Sequence, residues 1–203
     1  MENFEKLIRN QGYKLIEVPI SVSNRHAHLT EESLRALFGE NYKLTKRNDL
    51  SQPGQFACQE TVYLVTDKSK LICRVVGPTR NKVQVELSKT DAINLGINPP
   101  IRLSGDLENS ASAKLIGPKG EYSLLEGIII AVRHIHLSNE QASKYNLKNM
   151  DLVNLAVKSE KGFQVLGNVI CRVGSTHYFD VHLDTDEANA LGIKNGDKGF
   201  IFY

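Results

Sequence analysis

The chain has 203 residues, 41% hydrophobic and 24% charged, and its Lys+Arg exceed its Asp+Glu by only 25 to 23. That length suits one large or two small domains, and the composition excludes a collagen, a disordered polymer and, with no apolar run near the roughly 18 residues of a span, a helical membrane protein. A net charge of +2 without a basic tract offers little to neutralise a run of phosphates, so no nucleic acid is expected as a partner and a small anion is the better candidate.

In chain order, Phe4, Leu7 and Ile8 fit one face of a short helix in a charged segment that lacks the apolar centre of a secretory signal. His26-Ala-His28 reads as a strand running into a helix capped at Thr30. Gln52-Pro-Gly-Gln is a turn, and β-branched and aromatic runs place strands at 61–65, 71–76 and 83–87, with the turn Gly77-Pro-Thr-Arg80 between the last two. A helix at 90–95 stops at Gly96, the loop Ser104-Gly-Asp and the turn Gly117-Pro-Lys-Gly follow, and a strand at 128–132 leads to His134-Ile-His136. Ser138 opens a capping-box helix; strands at 152–157, 169–173 and 179–183 and a helix at 185–191, stopped by Gly192, complete the chain.

The second half repeats the first. Arg25-His-Ala-His-Leu-Thr30 matches Arg133-His-Ile-His-Leu-Ser138, with the first histidines 108 positions apart. Val85-Glu-Leu-Ser-Lys-Thr-Asp-Ala matches Val181-His-Leu-Asp-Thr-Asp-Glu-Ala at an offset of 96, so the first copy carries about a dozen extra residues. Many short strands in two copies predict a mainly β protein: two small β-barrel domains related by internal duplication and capped by short α-helices.

Histidines two apart on a strand share a face and can converge on one ion. The repeat supplies a third member to each pair, because Glu86 and His182 occupy one position of an alternating strand. The expected metal ligands are therefore His26, His28 and Glu86 in one set and His134, His136 and His182 in the other, each an open three-ligand arrangement that suits catalytic zinc. Glu32 and Glu140 offer a cupin-like alternative, but they fall in the first turn of capped helices, where a carboxylate complements the dipole. Arg80 is the candidate anion-binding residue. Arg25 and Arg133 precede the two pairs, open to ligand contact or to packing between barrels; Ser104 and Arg133 are the candidate substrate contacts. His177 reads as a surface turn residue. Cys58, Cys73 and Cys171, odd in number and without CxxC spacing, suit a reducing cytoplasm, and the last two read as small core hydrophobes.

Seven colinear stretches, among them residues 18–29, Leu50-Ser-Gln-Pro-Gly-Gln, Val76-Gly-Pro-Thr-Arg80 and Arg102-Leu-Ser-Gly-Asp-Leu as well as the histidine and Glu86 motifs, resemble the phosphate propanoyltransferase family, the phosphotransacylases associated with bacterial microcompartments. The resemblance implies two zinc ions on the ligands above, Arg80 holding phosphate, coenzyme A near the domain interface, and reversible acyl transfer, propanoyl or acetyl, between coenzyme A and inorganic phosphate by direct attack on the thioester. Acyl-CoA and acyl phosphate are the implied small-molecule partners; shell or lumen proteins of a microcompartment and a second copy of the chain are the candidate protein partners. It also implies an N-terminal helix or short encapsulation segment over 1–15, one barrel from 16–23 with 133–203, and the other from 24–132. A zinc-dependent hydrolase of thioesters or other bonds and a non-catalytic, metal-stabilised compartment module are the alternatives.

Overall fold

Period-two burial runs through most of the chain. In one strand Cys58, Glu60, Val62 and Leu64 are buried while Gln59 and Tyr63 are exposed, the signature of a sheet with one face on a core. The computed structural model describes residues 2–203. They run α1 (Glu2–Asn10), β1 (Leu15–Ser23), β2 (His26–His28), α2 (Glu31–Phe38), β3 (Lys46–Asp49), β4 (Phe56–Val65), β5 (Lys70–Gly77), β6 (Gln84–Leu87), α3 (Lys89–Leu95), β7 (Ile101–Arg102) and β8 (Ala111–Ile116). There follow β9 (Glu121–Ala131), β10 (His134–Leu137), α4 (Asn139–Tyr145), β11 (Leu152–Ser159), β12 (Gly162–Val173), β13 (Asp180–Asp184), α5 (Thr185–Leu191) and β14 (Lys198–Phe202). No helix among the described residues is long and apolar enough to cross a membrane.

The chain divides into a central unit, Asn24–Ala131, and a terminal unit in which the segment up to Ser23 joins Val132–Tyr203. The terminal unit closes a six-stranded barrel in the order β1-β13-β10-β12-β11-β14. In the central unit β4-β5-β2-β6-β9 is closed by β8, which pairs with both β4 and β9, while β3 and β7 extend the sheet outside the ring. The two rings have one topology. Each His-x-His strand pairs parallel to one neighbour and antiparallel to the strand of the third candidate ligand. That third-ligand strand in turn pairs parallel to a long strand, β9 or β1. Since β1 precedes β2 and β9 precedes β10 in the chain, each repeat gives its first strand to the barrel that holds the other repeat's histidines.

Each barrel has its own apolar core, around Val62, Val75, Val85 and Ile128 in one and Val18, Ile135, Leu155 and Val181 in the other. Phe4 and Ile8 of α1 are taken up by the terminal barrel, with the Phe4 ring 4.2 Å from Phe163 and 5.7 Å from Phe202, whereas Leu7 stays exposed.

Helix boundaries follow from local chemistry. Thr30 and Ser138 are N-caps with full capping boxes, and Glu32 and Glu140 lie in the first turns. Ser88 and Asp184 cap α3 and α5, and Gly96 and Gly192 end them in the left-handed region at φ 72 and 66. Lys119 N–H donates to Leu37 O at 3.0 Å, and a Cβ on Gly117 would press into that same carbonyl, so the glycine turn permits backbone to lie against the end of α2. Strands β4, β9 and β12 are longer than the apolar runs suggest, because their polar ends are held by hairpin partners rather than by burial.

Candidate metal centres

The antiparallel pairing of β2 with β6 sets His26 opposite Glu86 and His28 opposite Gln84; that of β10 with β13 sets His134 opposite His182 and His136 opposite Asp180. Ala27, Val85 and Leu87 belong to the central core, and Ile135, Val181 and Leu183 to the terminal one. The alternation of a strand therefore puts all four polar residues of each block on the face away from the core.

Within each block three side chains converge: ligand atoms of His26, His28 and Glu86, and of His134, His136 and His182, lie within 4.8 Å of one another. The rings are held by backbone carbonyls. His26 Nδ1 lies 2.8 Å from Asn24 O and His134 Nδ1 2.8 Å from Val132 O, the same contact two residues back in both copies, while His28 Nδ1 lies 3.2 Å from Val76 O. With Nδ1–H donated to a carbonyl, the lone pair of each ring is on Nε2. The Nε2 atoms of His134 and His136 are 3.1 Å apart, and His26 Nε2 is 3.5 Å from Glu86 Oε2. Two donors at zinc bond lengths in a tetrahedron stand about 3.3 Å apart. The donor sets thus fit a zinc-sized cation, and Nδ1 of buried His136 has no hydrogen-bond partner among the described residues. Burial, His26 and Arg80 hold His28 well below the usual imidazole range, and burial with His134 and His182 takes His136 down to about 2. Both rings are neutral at pH 7, the form that binds metal.

Around Glu86 the central centre carries a polar chain. Gln84, 2% exposed, donates from Nε2 to Glu86 Oε1 at 2.5 Å and to Ser104 Oγ at 2.8 Å, while its Oε1 accepts from Gly105 N. Ser104 Oγ also accepts from Arg80 Nη1 at 3.4 Å, and Arg80 N–H is fixed on Leu29 O at 2.7 Å. Arg80 is thereby brought near enough to His28 to help lower its pKa, and it is joined to Glu86 through Ser104 and Gln84. Ser104 is a support for that chain.

Arg133 lies elsewhere. It donates from Nε to Gly167 O and from Nη1 to Glu187 Oε1, both at 2.8 Å, and Arg25 Nη1 makes the matching contact with Asp91 Oδ1 at 2.9 Å. Asp91 and Glu187 each stand at the third position of the helix after the third-ligand strand. The two arginines therefore clasp the start of each His-x-His strand to that helix. His177 is not the surface residue its turn suggests. Its ring packs on His136 at 4.4 Å, held by Nδ1 on Arg172 O, a contact made by a loop and so carrying no periodic signal. The missed residues Gln84 and Asp180 do carry one: both stand two before the third ligand, at the repeat offset of 96. The three cysteines are buried and free; burial pushes Cys73 and Cys171 up to about 12 and Cys58 to about 11.

Two barrels of one topology, each with a histidine cluster at one place in its sheet, define a duplicated double-barrel protein with paired candidate metal sites. Residues 19–194 match the phosphate propanoyltransferase family. Proteins named phosphate propanoyltransferase are similar over most of their length: 45% identity over 90% of this chain and 87% of that from Thermotoga maritima, 48% over 91% and 85% for Priestia megaterium, and 48% over 93% and 88% for Lachnoclostridium phytofermentans. The chain belongs to the phosphate propanoyltransferase family, and it is an acyltransferase.

Proposed function

We propose that the chain is a zinc-dependent phosphotransacylase that moves a short acyl group, propanoyl or acetyl, between coenzyme A and inorganic phosphate. The observation that carries the reading is the central centre, where two histidines and a carboxylate stand beside an arginine tied to the same hydrogen-bonded chain. His26, His28 and Glu86 would hold one zinc, and His134, His136 and His182 the other. Bound zinc supplies Lewis acidity for the thioester oxygen or the leaving sulfur.

The protein's own residues do the positioning. Arg80 offers a planar donor for phosphate, with one edge steadied by Ser104 and through it by Gln84. Gln84 fixes the Glu86 carboxylate by donating to it, which leaves that side chain one orientation. A phosphate oxygen forms the bond to the carbonyl carbon, the carbon–sulfur bond breaks, and the phosphate proton ends on the coenzyme A thiol, so acyl phosphate and free thiol balance the substrates. Transfer is direct. Each cysteine is buried with its thiol raised to about 11 or 12, which gives no thiolate to carry an acyl group at neutral pH.

The test is coenzyme A release from propanoyl-CoA and acetyl-CoA with and without phosphate. Release should require phosphate, and Arg80→Ala should lower kcat/KM for phosphate about 10- to 100-fold, the value of one or two charge-assisted hydrogen bonds. Release that ignores phosphate would make the chain a hydrolase and sink the proposal, and so would ping-pong kinetics.

A further inference from the structure

The two four-residue blocks differ at their fourth corner. In the central barrel that corner is Gln84, a neutral amide whose Nε2 and Oε1 are both engaged. In the terminal barrel it is Asp180, a carboxylate only 2% exposed. Its Oδ2 accepts from Ser21 Oγ at 2.6 Å and lies 3.1 Å from His182 Nε2; its Oδ1 is buried with no hydrogen-bond partner. Ser21 stands opposite His182 on β1, whereas the matching position opposite Glu86 on β9 is Ile129, so the hydroxyl that steadies the carboxylate exists only where the carboxylate does.

A carboxylate taken out of water with one oxygen bare is costly unless a cation balances it. Its ion-pair partner here is His182, an imidazole with no permanent charge. The strand residues of the two centres are an exchange of one pair of roles. The order is amide then carboxyl in Gln84-Val-Glu86, and carboxyl then imidazole in Asp180-Val-His182. Each block thereby holds one carboxyl group, at a different corner.

We infer that Asp180 is the positioning residue of the three-histidine centre: it accepts the His182 Nε2–H, so fixing that ring for a divalent cation, and it is the one carboxyl group of that block, as Glu86 is of the other. The inference rests on the metal-dependent reading above. Histidine ligands that donate their second nitrogen to a carboxylate bind metal more tightly, and removing the carboxylate typically costs 10- to 100-fold in affinity.

The test uses the full chain and zinc chloride as the probe. Metal-free protein is titrated with zinc against a competing chelator, and its thermal unfolding is followed with and without zinc. The unsubstituted chain should take two equivalents; if it takes none, the metal reading itself is wrong and the inference falls with it. Asp180→Asn should weaken one equivalent about 10- to 100-fold and leave the other. Metal-free Asp180→Asn should melt no lower than the metal-free parent, because the substitution removes a buried carboxyl oxygen that has no hydrogen-bond partner, whereas the zinc-bound variant should melt lower than the zinc-bound parent. The double variant Asp180→Gln/His182→Glu, which copies the central arrangement, should recover at least part of the lost affinity. Two equivalents at parental affinity in Asp180→Asn would overturn the inference. So would a melting loss equal in the metal-free and zinc-bound forms, which would make Asp180 a fold residue only.

Discussion

The clasp at the head of β10 can be tested without touching a candidate ligand. Arg133→Met removes an Nε bond to Gly167 O and an Nη1 bond to Glu187 Oε1, both 2.8 Å long. The first, to a neutral carbonyl, is worth about 1 kcal/mol. For the second, exposed pairs give about 0.2–1 kcal/mol and the breaking of a buried one about 3–5. With the two side chains 30% and 19% exposed, about 1–2 kcal/mol is the fitting value between those limits. The sum, about 2–3 kcal/mol, lowers Tm by about 4–12 °C in a chain of this size.

Glu187→Gln keeps one side-chain oxygen to accept from Asp184 N–H at the helix start and removes the charge and the second acceptor that meet Arg133, so the double-mutant cycle should return a coupling of about 1–2 kcal/mol. The pH dependence has a definite sign. Burial already raises the Glu187 carboxyl above its usual range, and Arg133 works against that rise. Without Arg133 the folded protein holds the Glu187 proton to still higher pH than the unfolded chain does. Stability from that proton is present at low pH and lost as pH rises from the unfolded value, about 4.3, through the folded one. The deficit of Arg133→Met should therefore be smaller at pH 4.5 than at pH 7.5. Calorimetry of the four proteins at both values decides it; a coupling below about 0.5 kcal/mol or a deficit independent of pH would refute the argument.

Two further outcomes follow from packing. Gly117→Ala, which forces a Cβ into the Leu37 carbonyl, should cost about 1–3 kcal/mol in urea unfolding, an overpacking penalty; a loss under about 0.5 kcal/mol would show that the turn can move off α2. Cys58, Cys73 and Cys171, buried and with raised pKa values, should resist a thiol reagent in the native protein and react together on denaturation. Rapid native labelling of any one would contradict the burial.

What could be read from the residues was what repeats or alternates. The strands bearing His26, His134, Glu86 and His182 were legible because duplication aligned them, and the caps at Thr30 and Ser138 because a capping box is local. Strand β8, Ala-Ser-Ala-Lys-Leu-Ile, has too little apolar contrast to declare itself, although it closes the central barrel. Strand β3, fully exposed, has none. Asp180 is silent for another reason: an aspartate two before a strand histidine reads as a solvated residue, and the cost of a buried carboxylate appears only once water is known to be excluded. The ion pairs of Arg25 and Arg133 span 66 and 54 residues, distances at which single-sequence patterns are silent.

The exchange of first strands has a consequence during synthesis. The central barrel draws every strand from one contiguous stretch, but β1 finds its partners only in β13 and β14, with Ile20 beside Val181 and Leu15 beside Phe202. At about 5–20 residues per second, roughly 10–40 s of translation separate β1 from β14. Throughout that interval a strand containing Val18 and Ile20 waits with open edges, the state most prone to pairing with a neighbouring nascent chain. The yield of this protein in a cell should therefore depend on translation rate and on chaperones that shield β1, even where the finished barrels are stable.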